Sequence, residues 1–227
     1  MSPRPRREQR HPDLQTAIKD TAWKQISEFG APALNLRAIA RNLGITAPSI
    51  YNYFPSRDDL VTTLIVDAYN SLAEAQEAAL ESSSADSLST QLFSLGIAYR
   101  NWAVTYPQRY QLIFGTPIPN YRAPDDVTVP AATRALVPLI KVIEDLNRAN
   151  ALRTERLTVM SPKLESMLRS WQKVEGGSDL ETLYLALVIW SRVHGLVGLE
   201  IGNQFPPFID PAEIFRREMN DILIQYL

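Results

Sequence analysis

A short segment, residues 46–57, carries hydroxyl, amide, phenol and guanidinium groups at close spacing. Ser49 and Asn52 belong to the residue types that hydrogen-bond the edges of DNA bases. Ala47 and Pro48 can offer only apolar contact, for instance to a thymine methyl group. If one helix presents these groups together, the chemistry that they indicate is recognition of double-stranded nucleic acid.

Two short helices joined by a tight turn would position this segment. The spacing Ala40-x3-Gly44-x5-Ile50 supplies a small residue where the helices cross, a turn residue that tolerates positive φ, and an apolar side chain that fills the space between them. Residues 36–43 and 47–53 are the two helices, and the second would carry the candidate binding groups. The sequence therefore predicts a helix-turn-helix.

Apolar residues recur at helical spacing along most of the chain, and no stretch shows the sustained alternation of a strand. We therefore predict an all-α protein. Asn35 and Thr46 are candidate N-caps, and Ser56 with Asp59 resembles a capping box. Residues 116–129, which are rich in proline, are predicted to be a loop. Further helices are predicted at about 13–29, 57–80, 86–105, 107–115, 130–149, 162–174, 179–203 and 211–226.

Charge is distributed unevenly along the chain. Residues 1–57 hold nine Lys and Arg against four Asp and Glu, a net charge of +5, which leaves −7 for the rest of a chain whose net charge is −2. This division indicates a head that binds a polyanion and an acidic body, although a solvated basic tail would give the same pattern. We predict a disordered basic arm at 1–12, a DNA-binding domain at 13–58 and a C-terminal domain at 59–227 that begins with a connecting helix, 57–80. The arm could enter a minor groove or serve only solubility.

Several function classes lack their usual sequence signatures. The chain has no cysteine, no Gly-x-Ser-x-Gly motif and no phosphate-binding glycine loop, so we expect neither an enzyme nor a cofactor. His194 stands without other ligand types nearby, so we expect no metal site. The apolar run Leu183–Leu199 is short and interrupted by polar residues, which favours a buried core helix over a membrane span. With no targeting signal visible, we expect a cytoplasmic protein that does not bind membranes.

The N-terminal region resembles the tetracycline-repressor-like (TetR/AcrR) family of one-component transcription regulators. The match runs from about Leu14 to Leu64, and its core is residues 35–60. The family's characteristic ending of this element is a Tyr-x-His/Tyr-Phe run, then a basic residue, then an acid and Leu. Here these positions are Tyr51-Asn52-Tyr53-Phe54, Arg57, Asp58 or Asp59, and Leu60.

The resemblance implies that the third helix enters the major groove of DNA, which is wide enough to admit a helix. It also implies that Tyr51 and Arg57 bind phosphates and that Arg37 contacts a phosphate or a base, and Thr46 could add a phosphate contact. Tyr51 and Tyr53 could instead be packing residues, and Arg37 and Arg57 simple solvated charges. The candidate DNA-binding residues are Arg37, Thr46, Ala47, Pro48, Ser49, Tyr51, Asn52, Tyr53 and Arg57.

The C-terminal body resembles a subgroup of the same family that is named for a Trp-His-Gly signature. The signature here is Trp190-Ser-Arg-Val-His194-Gly195, and the stretch 99–115 is also similar to the subgroup. The resemblance implies a small apolar or aromatic effector and a four-helix dimer interface made by the last two helices of each subunit. Aromatic residues are common in ligand pockets, although most can equally be core. The candidate pocket residues are Tyr99, Trp102, Tyr106, Phe114, Met167, Trp171, Trp190 and His194. The candidate interface residues are Gly195, Gly198, Gly202, Phe215, Met219, Ile222 and Leu223.

Together these features predict a helix-turn-helix regulator, of which repression is the family's usual mode. As a homodimer it would bind a palindromic double-stranded DNA operator and be released by a small-molecule effector. The alternative is a DNA-binding regulator that takes no small ligand and responds to a protein partner. An empty, collapsed C-terminal body would favour that alternative.

Overall fold

The computed structural model describes residues 11–153 and 159–227, and within them all regular secondary structure is helical, as the sequence predicts, with no β-strand. A 3₁₀ turn at Ala31–Ala33 lies between the first two helices. The helices are α1 (His11–Phe29), α2 (Leu36–Asn42), α3 (Ala47–Tyr51), α4 (Arg57–Ser82), α5 (Leu88–Thr105), α6 (Pro107–Phe114), α7 (Asp125–Arg148), α8 (Pro162–Glu175), α9 (Leu180–Ile201) and α10 (Pro211–Tyr226).

Local backbone chemistry explains the turn between α2 and α3. The Asn35 side chain accepts a hydrogen bond from the Ala38 N–H at 3.1 Å, so it caps α2 as predicted. Gly44 has φ +64°, a left-handed conformation that other residues rarely adopt. Thr46 is the N-cap of α3, but its hydroxyl bonds the Ser49 hydroxyl instead of a backbone N–H. The helix-turn-helix is therefore held by the predicted turn and by one of the two predicted caps.

The core of the helix-turn-helix confirms the steric prediction. Ala40, Ile50 and Phe54 are all buried, with Ile50 completely so. The small Ala40 lets α3 approach α2, and Ile50 fills the space between them. α3 ends at Tyr51, two residues before the predicted end, because the N–H groups of Tyr53 and Phe54 both donate to the Ile50 carbonyl. The carbonyl of the buried residue Ile50 therefore terminates α3.

The chain divides into two compact units, and the division differs from the predicted boundary at residue 58. The first unit contains residues up to Ala68 and also Gln108–Pro130; the second contains Tyr69–Pro107 and Ala131–Leu227. Of the predicted arm at 1–12, residues 1–10 lie outside the described residues, and the last two belong to α1.

Long-range contacts explain why α6 and the loop after it belong to the first unit. The Tyr121 and Thr62 hydroxyls are hydrogen-bonded at 2.8 Å, which joins the loop to α4. The Arg109 guanidinium of α6 lies over the Trp23 ring of α1, 5.5 Å from its centroid. Such contacts between residues far apart in sequence leave no signal in local periodicity.

The predicted loop at 116–129 is too long, since α7 begins at Asp125 and not at Pro130. The Thr128 N–H and hydroxyl both donate to the Pro124 carbonyl, at 3.0 and 2.9 Å. Asp125 and Asp126 place negative charge in the first turn, where it favours a helix. Pro130 therefore lies in the second turn of α7, a position that propensity alone disfavours.

α9 is the central helix of the second unit and packs against α5, α8 and α10. By length and composition alone α9 could also cross a membrane, a property that the core helices of soluble proteins share. Two ion pairs join it to its neighbours: Arg100 of α5 with Glu200, and Arg192 with Glu218 of α10. The face of α9 that packs inward consists of Thr182, Leu183, Leu185, Ala186, Ile189, Val193 and Val197.

Candidate functional site

The outer face of α3 presents most of the predicted DNA-binding groups to solvent. Because Ile50 and Phe54 are held in the core, the opposite side of the helix must face outward. Tyr51 is 40% exposed, which leaves its phenol accessible. The exposed members of the predicted set are Arg37, Thr46, Pro48, Tyr51 and Asn52. The partly exposed members are Ala47, Ser49, Tyr53 and Arg57.

Two of the predicted polar groups bond each other. The Thr46 and Ser49 hydroxyls are 2.8 Å apart, either being able to donate. This contact orients Ser49 toward the start of α3, where the backbone N–H groups attract anions. To reach a base edge, the Ser49 hydroxyl would exchange this bond for one to DNA, whereas the exposed Asn52 amide is under no such constraint.

Arg57 has partners that sequence reasoning missed. Its Nη2 donates to the Pro32 carbonyl at 3.2 Å and to the Ala31 carbonyl at 3.4 Å, at the end of the 3₁₀ turn. Its Nη1 lies 3.6 Å from an Asp58 carboxylate oxygen. Because carbonyls at the end of a helical turn carry partial negative charge, a guanidinium next to them is stabilised. Arg57 thus fastens the start of α4 to the connection before α2, a role that neither alternative from the sequence included.

The two roles of Arg57 make different predictions for Arg57→Ala. On the contacts above, we expect the unfolding free energy to fall by about 1 kcal/mol, since hydrogen bonds of a charged but partly exposed group are lost. We expect the slope of log affinity for DNA against log salt concentration to stay unchanged. Chemical denaturation and fluorescence anisotropy at several salt concentrations would measure both quantities.

Arg37→Ala is the matched control for this experiment, because Arg37 is exposed on the first turn of α2. A phosphate contact there should reduce the salt slope by about 1 while leaving stability within roughly 0.5 kcal/mol of wild type. If Arg57→Ala instead lowers the salt slope and leaves stability unaltered, Arg57 is a phosphate ligand and the fastening role is wrong.

The second unit contains a narrow cavity between α4, α5, α7, α9 and α10. It offers about 20 Å³ to the centre of a water molecule, room for roughly one water. Two of the predicted pocket residues, Tyr99 and Trp190, line it. The remaining lining residues, which the sequence did not indicate as a pocket, are Gln76, Leu92, Leu95, Gly96, Leu139, Ile189, Val193 and Met219.

His194 joins Tyr99 and Trp190 in one cluster next to this cavity. The Tyr99 hydroxyl and His194 Nδ1 are hydrogen-bonded at 2.7 Å, and the imidazole stacks on the Trp190 ring with centroids 4.8 Å apart. Burial lowers the pKa of His194 from its ordinary value, because the charged form loses hydration. The imidazole is therefore neutral at pH 7 and acts as a polar packing group.

The other predicted pocket residues lie elsewhere. Trp102 is buried, with its indole N–H donating to the Ser71 hydroxyl at 3.1 Å. Phe114 belongs to the first unit, where it packs edge-on against Tyr110. None of the other three lines the cavity: Tyr106 and Met167 are exposed, and Trp171 is half-buried on α8.

The predicted interface residues fall into two groups. Phe215, Met219 and Ile222 of α10 are at most 1% exposed, so they hold α10 to its own subunit and cannot contact a partner. Leu223 is half-buried. The glycines, in contrast, belong to an outward strip on α9 that repeats every three or four residues and carries no charge. We call this the α9 strip: Tyr184, Leu187, Val188, Ser191, Gly195, Gly198, Leu199 and Gly202, all exposed or half-exposed.

Comparison with known proteins matches the N-terminal and the C-terminal parts of the chain to two family models. Residues 18–64 match the family model for bacterial regulatory proteins of the tetR family, and residues 92–222 match the tetracyclin repressor-like C-terminal domain. The HTH-type transcriptional regulator Rv1816 of Mycobacterium tuberculosis is 33% identical over 204 residues, covering 89% of this chain and 87% of its own. Regulator Mb1846 of Mycobacterium bovis matches equally well.

Solved structures give the same result. The structure of the regulatory protein SCO4313 is 36% identical, with a TM-score of 0.77 over 98% of this chain and 99% of its own. PfmR from Thermus thermophilus is 18% identical, covers 91% of this chain and 97% of its own, and shares the fold with a TM-score of 0.61. The chain therefore belongs to the TetR family and is a helix-turn-helix, DNA-binding transcription regulator, not an enzyme.

Proposed function

We propose that this regulator is a cytoplasmic homodimeric repressor that binds a palindromic operator and is released by a small effector bound in the second unit. The observation that carries the operator contact is the orientation of α3. While Ile50 is buried, Pro48 and Tyr51 of α3 and its C-cap residue Asn52 are exposed. An α-helix presented in this way fits the major groove, where base edges differ between all four base pairs.

The α9 strip supports the dimer. A charge-free outward face on an otherwise buried helix is the surface that association would cover. Glycines at 195, 198 and 202 permit close approach of a second helix, and in a two-fold dimer the strip would pair with the same strip of the partner. A two-fold dimer places two α3 helices for two half-sites, which is why the operator would be palindromic.

Selection of bound sequences from a random duplex pool, followed by footprinting, tests this proposal. We expect two inverted half-sites, with centres about 34–36 Å apart or a multiple of one helical turn. Affinity should fall by about 10³-fold or more between 50 and 200 mM salt, as it does when about six or more phosphates are contacted. A single asymmetric site, or binding that ignores salt, would contradict the proposal. Placed downstream of a promoter, the selected site should lower reporter transcription when the protein is present.

One observation favours a second candidate, release by a protein partner. The apolar cavity beside Tyr99 and Trp190 holds roughly one water, far less than a typical effector pocket of about 300–1,000 Å³, and the larger clefts of the same unit, about 560 and 610 Å³, have charged residues in their walls. Fractionated cell extract distinguishes the two. Release of the protein from its operator by a low-molecular-weight filtrate supports a small effector, and release only by the retained protein fraction supports the partner.

A further inference from the structure

The cavity beside Tyr99 and Trp190 in the second unit is lined by apolar and uncharged groups. All of its lining side chains are uncharged, and Gln76 contributes the only side-chain amide. The other polar side chains of the lining are Tyr99, whose hydroxyl is hydrogen-bonded to His194, and Trp190, whose indole carries one N–H donor. Because an ion would lose its hydration here without gaining a counter-charge, the lining excludes charged molecules.

Met219 occupies the space that would otherwise make this cavity larger. A Cβ at Gly96 would lie 2.5 Å from both Sδ and Cε of Met219, so the tip of Met219 fills the notch left by the missing side chain on α5. Methionine is unbranched and has three rotatable side-chain bonds, so it can change rotamer at small cost. The notch and its plug lie on different helices, α5 and α10, and the notch, formed by a glycine, has no side chain that could change rotamer.

Gln76 supplies a hydrogen-bond acceptor next to this notch. Its Nε2 donates to the Ala135 carbonyl at 2.8 Å, which fixes the amide in place. This bond uses only the amide nitrogen, and the amide oxygen, with two lone pairs, has the capacity to accept a hydrogen bond from a ligand. Gln76 is 5% exposed, so a donor that reached this oxygen would do so out of contact with bulk water, where a hydrogen bond counts for more.

We propose that Met219 is a displaceable plug and that the effector is a small, uncharged, apolar molecule with one hydrogen-bond donor. The apolar part takes the Gly96 notch when Met219 swings out, and the donor bonds the Gln76 amide oxygen. The inference rests on the proposed small-effector response and specifies its site and ligand class. Because the ligand must compete with the plug, affinity in the wild type is reduced by the fraction of molecules in which the plug is closed.

Phenol and toluene test the inference on the full chain, since they have similar shapes and only phenol carries a donor. Calorimetry should show that Met219→Ala binds phenol at least about tenfold more tightly than wild type, because the competing plug is gone. Toluene should bind the variant less tightly than phenol, and this preference should vanish in Met219→Ala combined with Gln76→Met.

Met167→Ala is the matched control, because Met167 is 61% exposed on α8 and does not line the cavity. It should bind phenol as the wild type does. No gain in Met219→Ala, or an equal gain in Met167→Ala, overturns the inference.

A second measurement on the wild type covers the case in which Met219→Ala fails to fold. The chain has four methionines, and ¹³C-methyl NMR resolves their signals, which Met→Leu variants assign. Saturating phenol should shift the Met219 signal and leave Met167 in place. An unmoved Met219 signal overturns the plug. Operator selection with unliganded protein separates this outcome from failure of the proposed operator binding. If the operator is found and the Met219 signal does not move, operator binding stands and the Met219 plug is ruled out.

Discussion

Gly195→Glu is expected to convert the dimer to monomers and to abolish specific operator binding. Gly195 is exposed on the α9 strip, and a Cβ built there meets no atom within 4 Å, so glutamate fits the isolated subunit. Glutamate also favours a helix over glycine by up to about 1 kcal/mol, so the subunit should not be less stable. In a two-fold interface the two carboxylates would be desolvated near each other, which is strongly unfavourable.

Sedimentation velocity should show half the mass of the wild type. Operator affinity should fall by about 10³-fold or more, to the level of non-specific DNA, because one half-site alone is bound weakly. Ser170→Glu, an added carboxylate on the exposed side of α8 outside the strip, should leave both measurements unchanged. If Gly195→Glu remains a dimer with full affinity, the interface lies on another surface, for which the 67% exposed Ile224 of α10 is the next position to test.

The helix-turn-helix could be predicted from the sequence because the residue type required at each of its positions is set by the nearby backbone. Asn35 is a cap, Gly44 takes a left-handed conformation, and Ile50 is an apolar residue at a fixed distance from a small one. None of these requirements depends on residues distant in the chain. The structure differs from the prediction at the ends of α2 and α3, by one and two residues, and in the partner of the Thr46 hydroxyl.

The spacing of apolar residues identifies an apolar helix face, but it does not show whether that face packs against the subunit's own core or against a second subunit. On α10, Phe215, Met219 and Ile222 form a regular apolar face, and the same pattern would arise from a subunit core or from a dimer interface. The structure assigns this face to the core. On α9 the apolar residues extend all round the helix. The structure buries one side of it in the subunit core and leaves the α9 strip open, and the prediction that a second subunit covers this strip stays a prediction.

Residue type alone was a poor guide to the cavity and to Arg57. Met167 and Tyr106 are of the types that line pockets, yet both are exposed, whereas the notch depends on Gly96, a residue without a side chain. Arg57 bonds carbonyls 25 and 26 residues earlier in the chain. Positions of this kind are set by how the helices cross, which a single sequence does not record.

Packing and base reading can be separated by comparing Asn52→Ala with Ile50→Ala. Asn52 is exposed, so its loss should change the unfolding free energy by less than roughly 0.5 kcal/mol. If its amide bonds a base edge, specific affinity should fall by about 1–3 kcal/mol, while affinity for random-sequence DNA stays the same. Ser49→Ala should act in the same direction, with a smaller effect since its hydroxyl must first leave Thr46.

Ile50 is completely buried, and Ile50→Ala should cost about 2–5 kcal/mol of stability because it leaves a cavity between α2 and α3. Specific and non-specific DNA affinity should fall together, since the whole surface of α3 loses its support. Ile50→Val, at about 0.5–1.5 kcal/mol, gives the graded comparison. Denaturation and anisotropy with two duplexes measure all four variants. If Asn52→Ala and Ser49→Ala both leave base preference unaltered, these side chains do not read the operator, and its sequence must be recognised through other groups or through the shape of the DNA.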